Sequence, residues 1–373
     1  MRLPLLKNTK VFGKTVFLRA DLDVPLSEVG SEKSEVRIED DTRLLSVIPT
    51  IEYLLQQKCK IIIAGHLGRP KPLNQESGIK NQEFSLLPVA RWLTCHSELV
   101  SESDEMLKRV QHDISKVRLG EFDGWEIMPN LFLLENLRFY EGEEKNDPKF
   151  TKKLADLADV YVNDAFAVSH RIHASIVGIT KFLPSFAGLH LEKEVSVLSK
   201  ILINPKQPLI AIVGGKKVET KLPLIARMYF IADYILVGGK IAQETKEFLK
   251  IEHQKTKGKK AILLVADINE GRTGILENSL NNFIEIIGLA KTVVWNGTMG
   301  MVVDHDDFNH ATKKVALTII KSKAYSVVGG GDTTEFLRKL GLINKFSFSS
   351  TGGGAMLAFL SGERLPGLVA LGA

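Results

Sequence analysis

Short runs rich in β-branched residues recur along the whole chain, with helical spacing between them, and no other feature constrains the fold as much. The first half reads TVFLRAD from Thr15, KIIIAGH from Lys60, LFLLEN from Leu131 and DVYVND from Asp159. The second half repeats the rhythm with PLIAIVGG from Pro208, DYILVGG from Asp233, AILLVAD from Ala261, KTVVWNG from Lys291 and AYSVVGGGDT from Ala324. Strands that are apolar on both faces belong in parallel sheets covered by helices on either side.

At 373 residues the chain exceeds the ~250–300 at which a single core usually splits. The expected class is α/β, with two doubly wound parallel-sheet, Rossmann-like domains joined by a hinge helix. The boundaries fall at 1–182 for an N-terminal domain, 183–203 for the hinge helix (GLHLEKEVSVLSKIL from Gly188), and 204–360 for a C-terminal domain. Residues 361–373 form a tail expected to return to the N-terminal domain, and a cleft is expected between the two. The polar stretch from Thr94 to Lys116 breaks the rhythm and reads as a surface insertion without chemistry of its own.

The net charge of +5 is modest and its lysines and arginines are scattered, which gives no indication of a nucleic-acid footprint and suits a small anionic ligand. Cys59 and Cys95 match no metal-ligand spacing and read as reduced thiols of a cytoplasmic protein. Pro4, Lys7 and Lys10 interrupt the N-terminus, and no run approaches ~18 apolar residues, so neither a signal segment nor a membrane span is expected.

Every one of these strands ends in a glycine, acidic residue, amide or histidine, and in open α/β sheets ligands bind outside the carboxyl ends of the strands. Four glycine-bearing turns follow strands of the second half: VGGKKVETK from Val213, VGGK from Val237, WNGTMG from Trp295 and VGGGDT from Val328. A fifth, STGGGAM from Ser350, follows the short run KFSFS. Glycine lets backbone N–H groups approach a phosphate, and the following helix adds its positive end. Neither GxxxxGK[ST] nor GxGxxG with its acidic partner occurs, so the nucleotide site must be of another kind. Lys217 and Lys221 stand four apart at an expected helix start, which puts both ammonium groups on one face. Asp332, after three glycines, suits Mg²⁺ against phosphates or an N-cap.

The first half instead carries Arg19, Asp21, Arg43, His66, Arg69, Arg138, His170 and Arg171 at strand ends. Guanidinium forks bind phosphate and carboxylate bidentately, and several together describe a polyanionic substrate. His66 has no second ligand at metal spacing and reads as a hydrogen-bonding residue.

Ten motifs in order, RADLDVP, DDTRLLSVIPTI, GHLGRP, FSLLPVA, LLENLRF, NDAFAVSHRIHAS, GGKKVETK, TVVWNGTMG, VVGGGDT and STGGGA, resemble those of the phosphoglycerate kinase family over nearly the whole chain. The resemblance implies a glycolytic phosphotransferase with a carboxyl acceptor, moving a phosphoryl group from 1,3-bisphosphoglycerate to MgADP and giving 3-phosphoglycerate and MgATP. It implies that Asp21, Asp23, Arg43, His66, Arg69, Arg138 and Arg171 hold the phosphoglycerate in domain 1–182. Gly214, Lys217, Lys221, Gly238, Asn296, Gly330, Gly331, Asp332 and Thr333 would hold the nucleotide in 204–360, with Asp332 on Mg²⁺. Arg43, Lys221, Gly353 and Gly354, with Gly352 beside them, would stabilise the group in transit. A monomer acting on small molecules is implied. The chain departs from the family pattern at Asp23, where asparagine is usual, at VGGKIAQ, at Thr298 in place of proline, in the shortened 267–278 segment, and at Val303 with Asp304 beside it. A dehydrogenase-like dinucleotide protein and an impaired family member kept for binding are the competing readings.

Overall fold

The computed structural model describes residues 3–29, 35–70, 82–96, 114–242, 244–245, 261–269, 274–300 and 306–372. They divide into two compact units, Met1–Lys193 with Leu365–Ala373, and Glu194–Arg364.

Unit 1 opens with β1 (Thr15–Arg19), the hairpin β2 (Leu26–Val29) and β3 (Glu35–Ile38), α1 (Thr42–Gln56), β4 (Lys60–Ala64) and α2 (Leu87–Cys95). It continues with β5 (Ser115–Leu119), β6 (Phe122–Met128), β7 (Leu131–Leu134), α3 (Glu141–Glu144), α4 (Pro148–Ala155), β8 (Val160–Asn163), β9 (Ser185–Ala187) and the start of α5 (Leu189–Ile203). Among the described residues the main sheet runs β5-β6-β7-β4-β1-β8-β9. β1, at its centre, pairs in parallel with β4 and β8, so Arg19 stands level with Ala64 and Asn163. Val16, Leu18, Leu44, Ile51, Ile61, Ile63, Leu133 and Val162 are buried together against the sheet.

β5 and β6 depart from the parallel expectation, because they pair antiparallel with each other and β6 pairs antiparallel with β7. Their sequences explain it: β5 alternates, with Val117 and Leu119 partly buried between exposed Lys116 and Arg118, and β6 interrupts its buried Phe122, Gly124, Trp125 and Ile127 with exposed Asp123 and Glu126. That pattern belongs to a sheet edge with one wet face. The segment read as an insertion thus contributes Thr94 and Cys95 to α2 and Ser115 and Lys116 to β5, while 97–113 lies outside the described residues.

Unit 2 holds β10 (Leu209–Val213), α6 (Leu222–Met228), β11 (Tyr234–Val237), β12 (Ile262–Val265), α7 (Glu277–Gly288), β13 (Thr292–Asn296), α8 (Asp306–Ser322), β14 (Tyr325–Gly329), α9 (Gly331–Lys339), β15 (Phe348–Ser349) and α10 (Gly353–Leu360). Its strands run β12-β11-β10-β13-β14-β15 with parallel pairing throughout. Ile210, Ile212, Leu280, Phe283, Ile287, Val293, Trp295, Val315 and Ile319 form its core. A last helix, α11 (Pro366–Ala370), belongs to unit 1, where Gly367 lies against Ile176 and Ser169.

The start of α5 is built into unit 1. Asp164 Oδ1 accepts the N–H groups of His190 at 2.9 Å and Leu191 at 3.0 Å, and its Oδ2 accepts the Thr50 hydroxyl at 2.6 Å. Thr50 Oγ1 accepts the Leu189 N–H at 3.0 Å. Three otherwise orphaned amides of the first turn are thereby satisfied from the residue after β8 and from α1. Burial pushes the Asp164 carboxyl up to about 7, against its hydrogen bonds and with the help of the Asp21 charge. The folded chain therefore binds more protons than the unfolded one between the usual 3.8 and about 7, and this group's contribution to stability falls as pH rises through that window. Urea unfolding at pH 5 and pH 8 should show a larger loss of stability in the native protein than in Asp164→Asn. An equal loss in both would exclude Asp164 as the source.

Candidate active site

In unit 2 the parallel register aligns strand ends. Val213 pairs with Val237 and Asn296, and Asn296 pairs with Gly329, so the turns after β10, β11, β13 and β14 emerge at one edge. These turns touch through their backbones. A Cβ on Gly297 would stand 2.1 Å from the Gly214 carbonyl oxygen, and one on Gly214 would stand 2.2 Å from the Thr298 oxygen. Only glycine permits this approach. The amides of Gly214 and Gly215 donate to the carbonyls of Asn296 and Thr298 at 2.9 and 3.0 Å. Gly238 packs against Met299, whose N–H donates to Thr312 Oγ1 at 3.1 Å.

Two helices begin at the same place. Gly330 precedes α9 with φ +106°, a conformation that side chains rarely adopt, and a Cβ on Gly353, the first residue of α10, would lie 2.6 Å from the Gly330 Cα. The positive ends of α9 and α10 therefore converge, with Gly331, Gly352 and Gly354 around them. Thr333 fixes one side by accepting the Gly297 N–H at 3.1 Å.

Lys221 is buried against this group, its Nζ donating to Asn296 Oδ1. It makes no salt bridge among the described residues. Burial pushes its ammonium down to about 8, opposed by the Asp332 charge. Asn296 Nδ2 is buried without a hydrogen-bond partner among the described residues. An orphaned donor beside a buried ammonium without a salt bridge among the described residues, and two helix starts, make an arrangement suited to an anion.

Two expectations change here. Lys217 and Lys221 do not share a helix face: the Val218 carbonyl accepts the amides of Lys221 and Leu222 at 2.8 and 3.0 Å in a turn, and α6 begins only at Leu222, with Pro223 in its first turn. Lys217 is consequently exposed. Asp332 is not an N-cap, because Gly330 holds that position, and Asp332 lies exposed in the first turn of α9. Of the shortened 267–278 segment, Ile268 is bridged to Ile275 and the Leu276 N–H donates to the Asp267 carbonyl at 2.8 Å. Residues 270–273, Gln243, Val303 and Asp304 lie outside the described residues.

In unit 1 a cationic cluster gathers around Asp23. Its Oδ2 lies 3.5 Å from Arg43 Nη1 and 3.8 Å from His66 Nε2, and its Oδ1 accepts the Gly68 N–H at 2.8 Å. Arg43 also donates to the Asp23 carbonyl. Arg138 donates to the Gly68 carbonyl at 2.6 Å and pairs with Glu144 at 3.1 Å. Asn136 sets that loop, donating to the carbonyls of Leu67 and Phe84 at 2.8 and 2.9 Å and accepting the Arg138 N–H at 3.0 Å. Asp21 accepts the Ala167 N–H at 2.8 Å through Oδ2, while its buried Oδ1 has no partner among the described residues. Burial raises the Asp21 carboxyl, and Arg43 opposes the rise.

The structure thus brings Asp21, Asp23, Arg43, His66 and Arg138 together. Arg69 and Arg171 are exposed and make no side-chain contact of this kind among the described residues. Sequence reasoning missed Asn136, Glu144 and Met299 as supports. Asn136 stood inside the LLENLRF motif and Met299 inside the WNGTMG turn, and nothing in the pattern marked Glu144.

A family model described as Phosphoglycerate kinase matches residues 6–268 and 245–363. The chain belongs to the phosphoglycerate kinase family. It is 39% identical over 404 residues to the cytosolic phosphoglycerate kinase of Triticum aestivum, covering 96% of this chain and 95% of that one. Identity to the phosphoglycerate kinase of Thermosipho africanus (strain TCF52B) is 36% over 403 residues, with 96% and 95% covered. Among solved structures, phosphoglycerate kinase from Coxiella burnetii superposes with a TM-score of 0.76 at 31% identity, covering 100% of this chain and 99% of that one. The enzyme from Pyrococcus horikoshii OT3 gives 0.72 at 28%, with 99% and 98% covered. Membership confirms the α/β reading with two parallel-dominated sheets.

No group of three acidic, histidine or cysteine side chains suited to a metal occurs among the described residues. A lone carboxylate such as Asp332 fits a Mg²⁺ ion whose remaining ligands are phosphate oxygens and water. No helix among them is long and apolar enough to cross a membrane.

Because the Lys221 ammonium loses its proton near 8, affinity for inorganic pyrophosphate should fall between pH 7 and pH 9 relative to Lys221→Arg, whose charge persists. Calorimetric titration of both proteins checks this, and a constant ratio of affinities would exclude Lys221 as the titrating contact.

Proposed function

We propose that the chain catalyses reversible phosphoryl transfer between 1,3-bisphosphoglycerate and MgADP, giving 3-phosphoglycerate and MgATP, with the phosphoglycerate on unit 1 and the nucleotide on unit 2. The observation that carries this reading is Lys221: a buried ammonium with no salt bridge among the described residues, set among glycine turns and two converging helix starts.

The acyl phosphate and the ADP β-phosphate are themselves donor and acceptor, so no protein nucleophile is needed. Catalysis is then positioning and charge stabilisation. Arg43, His66 and Arg138 would hold the carboxylate and phosphate ends of the phosphoglycerate, with Asp21 accepting from its hydroxyl and Arg69 and Arg171 at the exposed rim. Lys221, Lys217 and the backbone N–H groups at Gly331, Gly353 and Gly354 would face the transferring phosphoryl, and Asn296 Nδ2 would donate to it. Mg²⁺ on Asp332 would neutralise nucleotide phosphate charge. Turnover on this assignment requires both ligands to meet in contact.

The reading places the chain in the cytoplasm, consistent with a cytosolic wheat relative, as a monomer acting on small molecules without nucleic-acid or membrane partners. An impaired, binding-only member is not favoured, since Arg43, His66, Arg138, Lys221 and Asp332 are all present.

A coupled ATP-forming assay with ADP and GDP in parallel tests the activity, and absence of turnover with either nucleotide would refute it. Removing one charge-stabilising donor typically costs ~10²–10³ in rate. Arg43→Ala and Lys221→Ala should each lose that much, and near-native turnover in either would remove that residue from the site.

A further inference from the structure

Arg19 is fully buried at the end of β1, beneath the cluster that Asp23, Arg43 and His66 form. No phosphoglycerate can reach it there. Its Nη2 lies 3.2 Å from His66 Nδ1. A guanidinium has five donors and no acceptor, so His66 Nδ1 must offer a lone pair, and the ring proton belongs on Nε2. We propose that Arg19 is a positioning residue for the substrate site, holding His66 as a neutral imidazole that can only donate from Nε2. That nitrogen faces the cluster, 3.8 Å from Asp23 Oδ2.

The rest of the Arg19 fork is fixed just as firmly. Nη1 donates to the Ala20 carbonyl, and Nε donates to Ser175 Oγ at 2.8 Å. Ser175 in turn donates its hydroxyl to Glu143 Oε1 at 2.6 Å and its N–H to Glu143 Oε2 at 3.0 Å. Tyr161 OH donates to the Ser175 carbonyl at 2.7 Å. Each donor in the chain meets an acceptor and the order admits no reversal, because Arg19 cannot accept at either end. Buried Glu143, on α3, supplies the counter-charge to Arg19, and the adjacent Glu144 pairs with Arg138. One short helix therefore supports two cations of the cluster.

Arg19, Arg138, Arg43 and His173 face His66 as positive or protonatable groups, and Asp23 as the negative one. Burial, then Arg19, hold its imidazolium well below the ordinary range. Protonation would place a positive Nδ1–H against a guanidinium. The consequence is a site whose histidine gives a hydrogen bond to a substrate oxygen at every pH near neutral, its orientation independent of the substrate.

This inference rests on reading unit 1 as the phosphoglycerate site, and its first test is independent of turnover. Long-range proton–nitrogen spectra of the native protein labelled with nitrogen-15 histidine should show His66 as the neutral Nε2–H form, unchanged from pH 5.5 to pH 8. An Nδ1–H form, or titration within that range, overturns the proposal even if the enzyme is active. Arg19→Met, and the milder Ser175→Ala that removes the Nε acceptor, should mix the tautomers. Losing one oriented donor should raise the KM for 3-phosphoglycerate about tenfold with little change in kcat. In a His66→Gln background, where the amide cannot change tautomer, Ser175→Ala should add nothing. An additive rise in that background would reduce Arg19 and Ser175 to a structural role. A native protein without any turnover would instead refute the kinase reading and leave the spectra to decide the tautomer.

Discussion

Parallel strand pairing in register is the constraint on which the rest of the structure depends. Arg19, Ala64 and Asn163 end neighbouring strands at one level in unit 1, and Val213, Val237, Asn296 and Gly329 align in the same way in unit 2. Because parallel strands all finish at the same edge, residues distant in sequence are delivered side by side. Shifting one strand by a single residue would send its chemistry to the other face of the sheet.

The two units present groups suited to anions by different physical means. Unit 1 gathers guanidinium groups and an imidazole and holds them apart with carboxylates: Asp23 between Arg43 and His66, Glu144 on Arg138, and Glu143 through Ser175 below Arg19. Like charges at such spacing repel, and the carboxylates among them, Glu143 buried and Asp23 and Glu144 open to solvent, make the assembly tolerable. Unit 2 spends one buried ammonium, Lys221, and otherwise relies on backbone N–H groups and the ends of α9 and α10. Backbone dipoles carry no net charge and require no counterion, which is why glycine rather than arginine dominates there.

Asp164 shows how the same economy of buried groups extends to the connection between units. Its carboxyl and the Thr50 hydroxyl complete the first turn of α5, the helix in which the division between the units falls. A buried acid in that position links α1, which also carries Arg43, to the start of α5.

Much was legible in the amino-acid sequence alone: nine strands, the helix from Gly188, and the glycine turns that follow strands. Apolar runs on both faces admit only a covered parallel sheet, and ten ordered motifs sufficed for the family. The alternating β5 carried the signal of an antiparallel edge, but it stood beside a polar segment and was masked by it. Tertiary structure alone decided that Lys217 and Lys221 part company, since a turn at Val218 and not periodicity starts α6. It alone placed Arg19 under His66 and Glu143 under Arg19, because these contacts join residues up to 156 positions apart. Spacing along a chain specifies which local structure forms; it carries no information about which buried donor will find which acceptor, and that pairing is settled only when the sheet has closed its core.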